Sequence, residues 1–161
     1  MSKYLIINAD DFGYNSQQNS AILLAVAPNA MDAVEFSKNS KIDVGVHLTI
    51  NSDNENKKWQ SLSNANSFKN GLPHKQKDLI FKTKREDVRK ELEKQYCFIT
   101  RNGGTVDHAD NHCATLYGIN GRRFYIDAFD FCAEHKLPYR FPKISGFIER
   151  QFGRKVPEIL K

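Results

Sequence analysis

With 161 residues, and 24 lysines and arginines against 19 aspartates and glutamates for a net charge of +5, the chain has the size of one domain with a core of its own. The cations are scattered from Lys3 to Lys161 among acids, where a nucleic-acid partner would call for one basic stripe interleaved with aromatic residues. No run of about 18 apolar residues exists to cross a bilayer.

Tyr4 to Ala9 is a continuous apolar run, the pattern of a parallel strand buried on both faces, and its carboxyl end delivers Asp10 and Asp11. Because aspartates follow this short run directly, it is not an export signal, and the cytoplasm is the expected location. Ile22, Leu23 and Val26 fall at helical spacing after the Phe12-Gly13-Tyr14 turn, and Pro28 suits the first turn of a second helix that Asn39 and Ser40 end. From Ile42 the period changes. Val44, Val46, Leu48 and Ile50 alternate with Gly45, His47 and Thr49, a strand with His47 on the face opposite the apolar set.

Residues 51–78, rich in Asn, Ser and Lys, read as a long surface excursion of the kind that forms binding loops. Thr83 and Glu86 make a capping box for a helix whose inward stripe is Val88, Leu92, Tyr96 and Ile99 and which stops at Gly103-Gly104. Val106 opens a short strand into His108, Asp110 and His112. A last helix is expected from Arg122 to His135 with Phe124, Ala128, Phe131 and Cys132 inward, before Tyr139 to Phe141 resumes an extended path. Together these make roughly four βα units, an α/β class with a mostly parallel sheet. Cys97, Cys113 and Cys132 are odd in number and lack a CxxC pair, so each is expected to be a small buried apolar residue, not half of a disulfide or a zinc knuckle.

In parallel α/β folds the loops at the carboxyl ends of strands converge on the binding site. Asp10-Asp11, His47 and the His108-Ala109-Asp110-Asn111-His112 run all occupy such ends. A carboxylate with two neutral imidazoles suits zinc or another borderline divalent ion with positions open to water and substrate. A second aspartate beside the ligand is placed to take a proton from metal-bound water, which favours metal-assisted hydrolysis. Each motif also has a plainer reading: Asp10-Asp11 as a helix cap, His47 as a satisfied core histidine, residues 108–112 as a solvated turn. Their joint occurrence is what argues for a site.

The blocks Tyr4 to Gly13, Val44 to Thr49 and Asp107 to His112, followed by Pro138-Tyr139-Arg140-Phe141-Pro142, resemble the YdjC-like carbohydrate deacetylases. The resemblance implies a distorted or incomplete (β/α) barrel that removes acetyl groups from N-acetylated sugars such as diacetylchitobiose with one divalent metal ion, magnesium or zinc. It assigns Asp11, His47 and His112 to the metal, Asp10 to the base, and Asp110, His108 and Arg140 to supporting or substrate-binding roles, with Arg140 either orienting Asp10 or binding substrate. A homodimer is compatible with it. Other metal-dependent sugar or sugar-phosphate chemistry, or sugar binding without catalysis through Trp59 or Tyr117, are the rival readings.

This sequence departs from the family pattern in four places. The family domain runs to about 250 residues, the size of an eight-unit barrel, so the final third is expected to be missing here, as is an internal strand after Ala27. The 161 residues are therefore expected to be part of a longer enzyme. Cys113, Ala114 and Thr115 follow His112 where the family tends to have further histidines. No His-Pro-Gly segment is present to supply a general acid, and His108 is the only local substitute.

Overall fold

A computed structural model describes residue 10, residues 22–39, 43–118 and 122–142, and residues 146 and 150. The strand expected at Tyr4 to Ala9, and Asp11, lie outside the described residues. Three parallel strands, β1 (Ile22–Leu23), β2 (Gly45–Leu48) and β3 (Ala109–Asn111), pair in the order β1-β2-β3. A parallel bridge from Ala109 to Tyr139 starts a fourth position, closed by Ala109 N–H to Pro138 O and Arg140 N–H to Ala109 O, both 2.8 Å. Among the described residues this sheet is open and does not close into a barrel, so what holds of the expected architecture is its parallel α/β part.

The helix expected through Ile22, Leu23 and Val26 is instead strand β1 and a turn. Ile22, Leu23 and Leu24 are all fully buried, which an uninterrupted apolar triplet achieves in a sheet covered on both faces. Pro28 also disfavours helical backbone at Ala27. Helix α1 (Ala30–Asn39) then follows with Ala30, Ala33 and Val34 inward.

Residues 51–78 are not a surface excursion. Trp59, Phe68 and Leu72 are buried in the common core, and a short helix α2 (Gln76–Lys82) closes the segment. The segment is pinned from α3 (Arg85–Arg101). Buried Glu91 accepts from the Ser61 hydroxyl (2.5 Å) and the amides of Leu62 (3.1 Å) and Ser63 (2.9 Å), and Asp87 accepts from the Ser67 hydroxyl (2.6 Å) and amide (2.9 Å). The capping box does not form: Lys84 is the cap residue and no side chain caps it. The Lys84 amide donates to the Ser67 hydroxyl at 3.0 Å, so the helix start is satisfied by the loop it holds. Val88, Leu92 and Ile99 are the inward stripe, and Gly103 at φ +84° ends the helix.

Helix α4 (Phe124–Glu134) buries Phe124, Ala128, Phe131 and Cys132 against α3, as its spacing requires. Cys132 is the small buried residue expected of it, Cys97 is half-buried and Cys113 is exposed. Among the described residues, no helix is long and apolar enough to cross a membrane.

Candidate functional site at the carboxyl edge of the sheet

Because the strands are parallel, the chain leaves β1, β2 and β3 on one edge. Register brings the first pair together: His47 on β2 is opposite Asp110 on β3, so their side chains share a face. Both are buried, at 2% and 0% exposure. His47 Nδ1 meets Asp110 Oδ1 in a short hydrogen bond, and a carboxylate on the far nitrogen fixes the imidazole tautomer. Burial that would be costly for an unpaired carboxylate is offset by Arg140, whose guanidinium contacts Asp110 Oδ2.

The same guanidinium reaches Asp10, with Nη2 at 2.9 Å from both carboxylate oxygens. Desolvation works against the Arg140 charge, but the hydrogen bond with Asp10 and the charges of Asp110 and Asp10 outweigh it and hold the pKa above its ordinary value. Tyr117, its phenol pushed up to about 12 chiefly by burial, donates to Arg140 O at 3.1 Å and fixes that strand end.

His112 follows β3 directly and is buried. Its Nε2 lies 2.7 Å from Asp53 Oδ1, and its Nδ1 lies 3.3 Å from His47 Nε2. A carboxylate accepts, so His47 donates through Nδ1 to Asp110 and His112 through Nε2 to Asp53. The other ring nitrogens, His47 Nε2 and His112 Nδ1, are then acceptors and face the same space. About 3.3 Å is the nitrogen-to-nitrogen edge of a tetrahedral site with bonds of about 2.0 Å. The donor chemistry thus fits a borderline divalent ion.

Trp59 covers His112, with ring centroids 4.9 Å apart at 57°. Its position follows from the pinned loop, in which the Trp59 amide donates to Ser52 Oγ at 3.0 Å and the Leu72 amide to Trp59 O at 2.8 Å. On the other side Gln95 clamps the end of β2, accepting from Thr49 N–H (2.9 Å) and donating to Thr49 O (2.6 Å). The two aromatic residues named as sugar-stacking candidates, Trp59 and Tyr117, are both buried.

His108 lies elsewhere. It precedes β3, pairs with Asp107 Oδ1, and packs on the backbone of Gly45 at the start of β2. At roughly 3.3 Å per extended residue, about 13 Å of chain separates it from His112. The alternate positions 108, 110 and 112 share one face of the strand, but they sit at different heights along it: Asp110 and His112 join His47, while His108 lies level with the start of β2 against Gly45. Asp53 and Cys113 were not among the candidates read from the sequence. Asp53 follows the β2 carboxyl end by a few residues, the position that singled out the others, but a polar loop with several acids hides it.

The chain matches the family described as YdjC-like protein over residues 4–160. It is 25% identical to a carbohydrate deacetylase of Thermoanaerobacter pseudethanolicus, over 86% of this chain and 60% of that protein. It is 30% identical to a carbohydrate deacetylase of Geobacillus stearothermophilus, over 70% of this chain and 50% of that protein. The chain thus spans half to three fifths of the length of these curated relatives. A crystal structure from Enterococcus faecalis V583, described as a cellobiose-phosphate cleavage protein, aligns with a TM-score of 0.65 at 22% identity, over 95% of this chain and 66% of that one, and shares the fold. Since the family match takes in all but the first three residues and the last, the chain belongs to the YdjC-like protein family.

Proposed function

We propose that the carboxyl edge is the metal-dependent centre of a deacetylase acting on small N-acetylated sugars, with the chain forming one deacetylase-type domain. The observation that carries this reading is the convergence of His47 Nε2 and His112 Nδ1 at 3.3 Å, each ring braced by a carboxylate on its far nitrogen. His47 and His112 would hold the ion, with Asp11 as the third ligand carried over from the family resemblance. When bound, a divalent ion supplies Lewis acidity and a water of lowered pKa. Two imidazoles with one carboxylate suit zinc better than magnesium.

The chain's own groups do the rest. Asp10, held in place by Arg140, takes the proton of the attacking water. Asp110 keeps the His47 proton on Nδ1 and so keeps Nε2 available as a ligand. Trp59 excludes water from one face of His112. The general acid for the departing amine is not assigned; His108 lies at the other edge.

The test is acetate release from diacetylchitobiose by the protein with zinc supplied, beside Asp10→Asn and His47→Ala. Both variants should fall about 10²–10³-fold or more, the scale of losing one preorganised catalytic partner, with His47→Ala also losing bound zinc. Equal release by all three would overturn the reading, as would cleavage of phosphorylated disaccharides without release of acetate.

A further inference from the structure

The imidazole of His112 has a second nitrogen, and the groups around it form a different donor set. Cys113 Sγ lies 3.1 Å from His112 Nε2, and Asp53 Oδ1 lies 2.7 Å from the same atom. All three donor atoms fall within 4.8 Å of one another. We infer that Asp53, His112 and Cys113 form a second cation site, open to solvent, that takes a borderline-soft divalent ion through a thiolate, an imidazole nitrogen and a carboxylate oxygen.

Thiolate and carboxylate together neutralise a dication, and a thiolate selects zinc or cobalt over magnesium. Tetrahedral edges built from bonds of about 2.0 to 2.3 Å are near 3.4 Å, so the present separations need open by less than about 1 Å. Asp53 and Cys113 are exposed while His112 is buried, which leaves the fourth position to water. Backbone geometry aims the thiol: Cys113 and Ala114 adopt φ of +51° and +55°, left-handed conformations that non-glycine residues rarely take. An extended continuation from β3 would instead carry residue 113 to the other face from 112.

A cation on Nε2 leaves the ring proton on Nδ1, directed at His47 Nε2. The two sites therefore compete for one imidazole, and a soft ion held by Cys113 opposes occupation of the His47 side. This site stands on its own donors and does not depend on the chain being a deacetylase.

Cobalt(II) titration of the metal-free full chain tests it, read by the thiolate-to-cobalt charge-transfer absorption. The parent should develop the band and saturate at one thiolate-bound cobalt. Cys113→Ser should lose it with an unchanged circular dichroism spectrum, Asp53→Asn should weaken binding about 10- to 100-fold, and His47→Ala should keep it. Should Cys113→Ser misfold, the unmutated protein gives a second measurement: bound zinc should slow alkylation of Cys113, followed by mass spectrometry, at least about tenfold. A folded parent without the band, a band that survives in Cys113→Ser, a band lost in His47→Ala, or alkylation indifferent to zinc would each overturn the site. Acetate release by the zinc-loaded parent reports separately on the deacetylase reading.

Discussion

His108 and His112 belong to one five-residue motif, yet they end at opposite edges of the sheet. At the carboxyl edge His112 is buried among His47, Asp53 and Trp59; at the amino edge His108 pairs with the adjacent Asp107 and fills the space beside a glycine. The imidazoles are chemically identical. What separates them is the length of β3 and the direction of a parallel sheet, which places the carboxyl ends of its strands, and with them the binding crevice, at one edge.

The largest effect that can break this contrast is expected at Asp110. Asp110→Asn keeps the shape of the side chain but removes the charge that holds both His47 and Arg140, and should lower zinc affinity or acetate release about 10- to 100-fold. His108→Ala, assayed beside it, should leave both within about threefold, since His108 is half-buried beside Asp107 and Gly45 at the amino edge. A loss in His108→Ala equal to that in Asp110→Asn would mean that the two edges are not functionally distinct.

Gly45→Ala probes the amino edge through packing. A Cβ there would lie 2.7 Å from the His108 ring and 2.8 Å from His108 O, and overpacking of this kind costs about 1–3 kcal/mol. A lowered melting temperature with zinc affinity intact is the expected result; an intact melting temperature would show that the strand ends at this edge yield easily.

The smallest effect concerns the loop that covers His112. Hydrogen bonds from the Ser67 hydroxyl and amide hold the Asp87 carboxyl below its ordinary value, against the opposing effect of burial. A group that binds its proton more weakly when folded stabilises the fold fully above its unfolded pKa of about 4, and that contribution fades as pH falls through the lower folded value. Asp87→Asn should therefore cost about 1 kcal/mol at neutral pH, with the difference from the parent shrinking in acid, as followed by urea unfolding across pH. A difference that grows in acid would reverse the assignment.

Much of the helical framework is legible in the residues. Val88, Leu92 and Ile99 recur at helical spacing and Gly103 can adopt the positive φ that ends α3, so local pattern and tertiary burial agree there. The same holds for α4 and for the alternation around His47. Where the reading failed, the deciding partner was remote. Ile22 and Leu23 suit either a helix or a strand until β2 lies beside them. The Asn- and Ser-rich stretch looks solvated because its polar groups are satisfied by Glu91 and Asp87, some 20 to 30 positions away. Thr83 and Glu86 fit a capping box, but Ser67 satisfies the helix start first.

The sequence by itself determined the family, the α/β class and the residue types of the proposed centre, because those depend on local period and on side-chain chemistry. Only the tertiary structure decided that Asp110 braces His47, that Arg140 reaches Asp110 as well as Asp10, and that Asp53 and Cys113 surround the second nitrogen of His112. Strand register and chain direction set those distances, and neither is encoded within any single segment.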